Sequence, residues 1–182
     1  ITVDGVEMTW AVNYLAPFIL THELLDVLKA SAPSRIINLT SWTHKLGKID
    51  LNRLGDIQKY NIWTAYARSK LADVLFTVEL ARRLQGTGVT ANAVHPGEVL
   101  TNIVPNPKFN PFVVPFLWLY VKFALVDIAT SAQPSVQLAT SPDLKYVSGQ
   151  YFNRLNIEPL SKKARDPLFA KQLWEATERT LA

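Results

Sequence analysis

The sequence predicts an α/β fold built on a parallel sheet with crossover helices. Three observations carry that reading. A short apolar run, Arg35–Thr40, is followed by a polar connection, a long segment of helical period and a second β-rich run, Val89–Val94. The helical segment, Thr64–Gln85, places Leu71, Val74, Leu75, Val78, Ala81 and Leu84 at spacings of three and four, and Gly86 and Gly88 stop it. Strand, loop, helix, strand is the rhythm of parallel strands joined by helices.

The elements follow in order. Met8–Ala30 reads as a helix, apolar on most sides, with Pro17 inside it. Proline has no N–H, so the carbonyl four residues earlier, that of Asn13, loses its helical partner. An unpaired acceptor beside an amide side chain suits a bound water. Arg35–Thr40 reads as a buried strand. Ser41–Ile62 is a polar connection, long for a compact domain, and such loops tend to carry function. After Val89–Val94, His95-Pro96-Gly97 reads as a turn. Phe109–Val126 is strongly apolar and aromatic. Asp127–Thr140 reads as a helix despite Pro134, and Val147–Phe152 as a third strand. Asp166-Pro167 fits an N-cap followed by proline at the first helical position, opening a helix to Leu181. No repeat, low-complexity tract or linker is visible, so the chain reads as one domain or part of one.

Composition narrows the function. The chain has 182 residues, 48% hydrophobic and 19% charged, the make-up of a globular domain. It has no cysteine, which excludes disulfides, zinc–thiolate sites and thiol nucleophiles and fits a reducing, intracellular setting. The net charge of +4 comes from scattered basic residues, with no basic stripe interleaved with aromatics, which argues against a nucleic-acid partner. His22, His44 and His95 lack ligand spacing, so no metal site is assigned. There is no Gly-x-Ser-x-Gly elbow, which argues against a hydrolase. Asn38-Leu39-Thr40 has the form of a glycosylation sequon, but it lies in an apolar strand.

Tyr66-Ala-Arg-Ser-Lys70 is the candidate for chemistry. Residues at i and i+4 share a helix face. A nearby ammonium favours the phenolate and lowers a tyrosine pKa. At about 4 Å and an effective dielectric of about 20 the attraction is of order 4 kcal/mol, an upper limit of roughly three pKa units. A tyrosine so placed becomes a general acid or base near neutral pH.

Taken together, these segments resemble the short-chain dehydrogenase/reductase family, in its retinol-dehydrogenase-like branch, from about Asp4 to Leu181. The resemblance rests on Asn13 within Val12–Phe18, on the strand ending in Ser41, on Tyr66 and Lys70, and on Leu71–Thr77, Glu79–Leu84 and His95-Pro96-Gly97. Ser148–Phe152 and Leu173-Trp174 also match. Where the branch commonly reads Asn-His-Leu-Gly-His-Phe, this chain has Asn13-Tyr-Leu-Ala-Pro-Phe18, a change that bears on substrate fit more than on the reaction.

The resemblance implies the C-terminal half of a doubly wound, Rossmann-like parallel-sheet domain. The family's Gly-rich phosphate loop and its cofactor-selecting residue would precede Ile1. Gly86-Thr87-Gly88 is no substitute, because it follows a helix and precedes a strand. The initial isoleucine fits an incomplete chain. Tyr66 would exchange the proton, Lys70 would lower its pKa and hold the cofactor ribose, Ser41 would orient the substrate oxygen, and Asn13 would hold a water. Pro96, Gly97, Val99 and Thr101 would contact the nicotinamide end. The resemblance implies NADP(H) ahead of NAD(H), and an apolar carbonyl or alcohol substrate of retinoid, steroid or lipid-aldehyde type. It also implies a cytoplasmic or endoplasmic-reticulum-associated location. Asn110–Val126 reads as core helix, substrate lid or membrane-surface contact, and a homodimer is compatible. Two rival readings are a truncated, non-catalytic interaction protein with an exposed strand edge, and an epimerase or dehydratase sharing the Tyr–Lys pair.

Overall fold

The computed structural model describes residues 1–55, 60–99 and 125–181. Its helices are α1 (Met8–Trp10), α2 (Ala16–Ala30), α3 (Ile62–Arg83), α4 (Ile128–Thr140) and α5 (Pro167–Leu181). Its strands are β1 (Ser34–Leu39), β2 (Val89–His95), β3 (Glu98–Val99), β4 (Leu125–Val126), β5 (Tyr151–Asn153) and β6 (Asn156–Glu158). The main sheet has the order β1-β2-β5-β6. β1, β2 and β5 run parallel, with Leu39 opposite Val94 and Phe152 opposite Val94, and β6 returns antiparallel. The α/β class and the crossover helix between β1 and β2 are as the sequence predicts.

α3 organises the core. From Leu71 to Leu75 every residue is buried, and so are Leu80 and Ala81. One flank lies on β1 and β2; another packs on α5, where Phe76 stacks on Trp174 with centroids 5.6 Å apart. Glu79, 1% exposed, holds Arg82 and Arg83, and the Arg83 guanidinium lies 4.2 Å from the Trp174 ring centroid. Asn61 caps the helix by accepting from the N–H groups of Trp63 and Thr64.

Several segments differ from the sequence expectation. The helix expected over Met8–Ala30 runs without a gap, but a π-helical turn within it spans Ala11–Leu15, and the Ala16 N–H donates to the Ala11 carbonyl five residues back. Pro17 causes this. It cannot donate to Asn13 and its ring crowds the preceding turn, so one residue is inserted there and Pro17 falls in the first turn of α2, where no N–H is needed. β1 is half-buried rather than buried, because among the described residues it lies at the end of the sheet with β2 on one side only. β5 also begins later than expected, at Tyr151, since Val147 and Ser148 instead serve Asn92 and Ala91 as loop partners. Residues 109–124, with the lid and membrane-contact readings attached to them, lie outside the described residues. No helix among the described residues is long and apolar enough to cross a membrane.

The connection after β1 folds into a 3-10 turn, Trp42–Leu46, that closes on α3. Gly47 permits this approach: a Cβ there would collide with the Ala67 carbonyl oxygen and lie 2.7 Å from Leu71 Cβ. Gly47→Ala should therefore cost about 1–3 kcal/mol in urea unfolding; an unchanged midpoint would show that the turn does not depend on this contact.

Candidate active site

The four residues singled out by the sequence converge on the first half of α3. Tyr66 is half-buried, and Lys70 Nζ lies 5.8 Å from its ring centroid. The direction of the ammonium is set by its other partners. Its ammonium donates to the Leu39 carbonyl at 2.9 Å and to Asp73 Oδ2 at 2.9 Å. The Thr40 hydroxyl donates back to the Lys70 carbonyl at 3.0 Å. The C-terminal end of β1 is thereby fastened to α3 from both sides.

Ser41 follows directly and is 6% exposed. Its Oγ accepts from the Thr43 N–H at 3.3 Å as the cap of the 3-10 turn. His44 braces the same residue from behind. A carbonyl can only accept, so His44 Nδ1–H donates to the Ser41 oxygen at 2.8 Å, which leaves Nε2 as the bare nitrogen. Burial pushes the His44 pKa down, so the ring is neutral. It lies with its centroid 4.6 Å from that of Tyr151, whose buried phenol is pushed well up. His95, also buried, is pushed down for the same reason.

Asn13 sits in the π turn and donates from Nδ2 to Ser69 Oγ at 3.1 Å; that hydroxyl in turn donates to the Tyr66 carbonyl at 2.9 Å. Asn13 thus reaches α3 beside the Tyr–Lys pair. Its neighbour Tyr14 is fully buried, bonded to Thr177 at 2.7 Å and tilted between Trp10 and Phe18. Of the residues at which this segment departs from the branch, Tyr14 belongs to the core that joins the π turn to α5.

At the end of β2, Pro96 and Gly97 form the turn. Gly97 has φ 101°, a conformation that side chains rarely adopt. Val99 follows in β3, and Thr101 lies outside the described residues. Glu98 accepts from Trp42 Nε1 at 2.7 Å, tying this loop to the turn after Ser41. Asn38 is not free for glycosylation, since its amide donates to Thr77 Oγ1 within the α3–β1 contact. Among the described residues no group of three His, Cys, Asp or Glu is placed to hold a metal.

Sequence reasoning missed Asp73, Ser69, His44 and Trp42. Asp73 left a signal: it is a charged residue between Leu71 and Val74, on the face the apolar periodicity marks as buried. Burial, opposed by Lys70, raises its pKa to about 7.

A family model described as "short chain dehydrogenase" matches residues 1–108. The chain belongs to the short-chain dehydrogenases. It is 48% identical to retinol dehydrogenase 13 of Mus musculus over 98% of this chain, and 46% identical to retinol dehydrogenase 14 of Homo sapiens over 97%. It spans about half the length of these relatives, 54% and 53%. Among solved structures, an uncharacterised protein from Mycobacterium paratuberculosis superposes with a TM-score of 0.72 at 28% identity, covering 98% of this chain and 60% of that one. A blue fluorescent protein from a metagenomic library, in complex with NADPH, superposes with a TM-score of 0.58 at 29% identity, covering 84% and 56%. This short-chain dehydrogenase chain thus carries the strand, turn and helix from which the four residues converge, on a Rossmann-like sheet.

A carboxyl whose pKa is raised on folding stabilises the fold below its folded pKa and opposes it above. For Asp73 the stability contribution therefore falls as pH rises from about 4 to about 7 and is level above that. Asp73→Asn removes this dependence. Relative to the unsubstituted chain it should gain on the order of 2 kcal/mol between pH 5 and pH 8 in denaturant titrations. An equal effect of the substitution at both pH values would contradict the buried, raised carboxyl.

Proposed function

We propose that these residues form the active-site half of a nicotinamide-dependent dehydrogenase/reductase acting on an apolar carbonyl or alcohol, with retinoids, steroids and lipid aldehydes as the substrate classes. The observation that supports it is the convergence of Tyr66, Lys70, Ser41 and Asn13 on one end of α3, next to the C-terminal ends of parallel strands. Open α/β sheets bind ligands there. The residues present fit a nicotinamide cofactor on its reactive side. An ammonium has three donors, and Lys70 spends two on Leu39 and Asp73, leaving one for a ribose hydroxyl. Gly97 keeps the end of β2 free of a side chain. Gly86 and Gly88 belong to the opposite end of β2, before it begins, and would hold no phosphate there.

The cofactor, when bound, supplies hydride transfer to or from the substrate carbon. The work of this chain is proton handling and orientation. Tyr66 gives its phenol proton to the substrate oxygen in reduction and takes it back in oxidation. Lys70 places its ammonium beside the Tyr66 ring, 5.8 Å from its centroid. Ser41, held by its cap bond and by His44 behind it, orients the substrate oxygen. Asn13 is tied to α3 through Ser69, and its carbonyl, without an N–H from Pro17, holds a water on the path from Lys70 to solvent. Pro96, Gly97 and Val99, at the end of β2 and in β3, would border the nicotinamide. The preference for NADP(H) over NAD(H), a cytoplasmic or endoplasmic-reticulum-associated location and the assignment of 1–182 to part of one domain belong to the same reading.

A second reading has its own observation. α2 exposes Ile19, Leu20, Leu24 and Val27, and β1 has no partner on its outer edge among the described residues, with Leu39 56% exposed. A chain of this kind that never meets a nucleotide-binding half would be an interaction protein, held by whatever covers these surfaces. One experiment separates the two. Native protein, captured from its source and supplied with NADPH or NADH and a panel of aldehydes including retinaldehyde, should oxidise the cofactor, fastest with apolar aldehydes. No cofactor oxidation with any carbonyl would reject the dehydrogenase reading and favour the second.

A further inference from the structure

Lys70 makes a contact that the proton-transfer chemistry does not call for. Its second donor goes to Asp73, a carboxyl 3% exposed and three residues further along α3. A surface pair at this spacing is worth little. A buried one is different, because an unpaired carboxylate there would be strongly disfavoured and a neutral apolar residue would pack with no such penalty. The groups that face Asp73 are Lys70, from its own helix, and Tyr14, from the π turn. The Thr177 hydroxyl donates to the Leu173 carbonyl, so the Tyr14 phenol donates to Thr177. Burial pushes the Tyr14 pKa well up, so this phenol stays neutral and leaves Lys70 as the charged partner.

The geometry is that of a clamp. Leu39 holds the ammonium from the strand, and Asp73 holds it from the helix. With both fixed, the third N–H has one free direction, and the Tyr66 ring lies 5.8 Å from Nζ. Without Asp73, a flexible four-carbon stem would swing between the Leu39 carbonyl and solvent. The carboxyl also places a negative charge beside the cation whose field acts on the phenol.

We infer that Asp73 is a positioning residue that, with the Leu39 carbonyl, clamps the Lys70 ammonium against the end of β1, beside Tyr66, and fixes its one remaining N–H for the cofactor ribose. The use of that N–H rests on the proposed dehydrogenase function; the clamp itself does not, and the two are tested apart.

The clamp is read in the 182-residue chain by NMR of the lysine side-chain ammonium groups near neutral pH, where exposed ammonium protons exchange too fast to be seen. A protected 15Nζ signal that disappears in Lys70→Met belongs to Lys70, which separates it from Lys163, bonded to the Gly47 carbonyl. In Asp73→Ala this signal should be lost or exchange at least tenfold faster. Asp73→Leu, closer in volume, gives the same readout if the alanine variant does not fold. A Lys70 signal equally protected in either folded variant would overturn the clamp. The coupling to the reaction is read separately in native protein that turns over: Asp73→Asn, lacking the negative charge beside Lys70, should shift the pH–rate profile to lower pH by about one unit. An unmoved profile, with the ammonium signal lost, would overturn the role of Asp73 in the reaction.

Discussion

The ammonium of Lys70 joins the end of β1 to α3 across 31 positions of sequence. It holds the strand through Leu39, the interior of the helix through Asp73, and it faces Tyr66 one turn back. Thr40 returns a bond to the Lys70 backbone, so the two elements cannot slide without breaking both contacts. Ser41 is the next residue, and its position follows from this fastening. The site is therefore set by a strand end pinned to a helix that the core buries on nearly all sides. Loops around it are then arranged by secondary contacts: Trp42 to Glu98, His44 to Ser41, and Gly47 against α3.

Proline and glycine shape the remainder. Pro17 forces a π turn in which Asn13 projects towards Ser69, while Tyr14 turns into the core. A uniform helix would rotate Asn13 relative to α3, and the amide would not meet the Ser69 hydroxyl in the same way. π turns of this kind recur at functional sites. Aromatic packing of Tyr14, Phe18, Phe76 and Trp174 then locks the π turn to α3 and α5, so the position of Asn13 is carried by the core rather than by a loop.

Much of this is legible in the sequence, and the exceptions have physical causes. The period of α3, the β-branched runs of β1 and β2 and the Asp166-Pro167 start of α5 are local signals, and they place the Tyr66–Lys70 pair correctly on one helix face. Family resemblance adds Ser41 and Asn13. What local signals do not carry is pairing between distant segments. The half-burial of β1 depends on which strands flank it. The Lys70–Leu39 bond depends on how α3 lies across the sheet. The burial of Tyr14 depends on α5. Asp73 is an intermediate case: a lone carboxylate on an apolar helical face signals a buried partner, but a lysine three residues earlier does not by itself show that the pair is enclosed. The short strands β3, β4 and β6 have too few residues for any periodicity.

Proton handling by Tyr66 is the step on which the proposed chemistry stands. Replacing this residue with phenylalanine in the native protein removes one hydroxyl and leaves the ring, the helix and the Lys70 clamp in place. Measured together, turnover and cofactor binding then separate chemistry from assembly. Carbonyl reduction should fall by roughly two to four orders of magnitude, the usual contribution of general acid–base catalysis, while the cofactor binds as before. Turnover within a fewfold of the unsubstituted protein would refute the role of Tyr66 and would move the proton to another group.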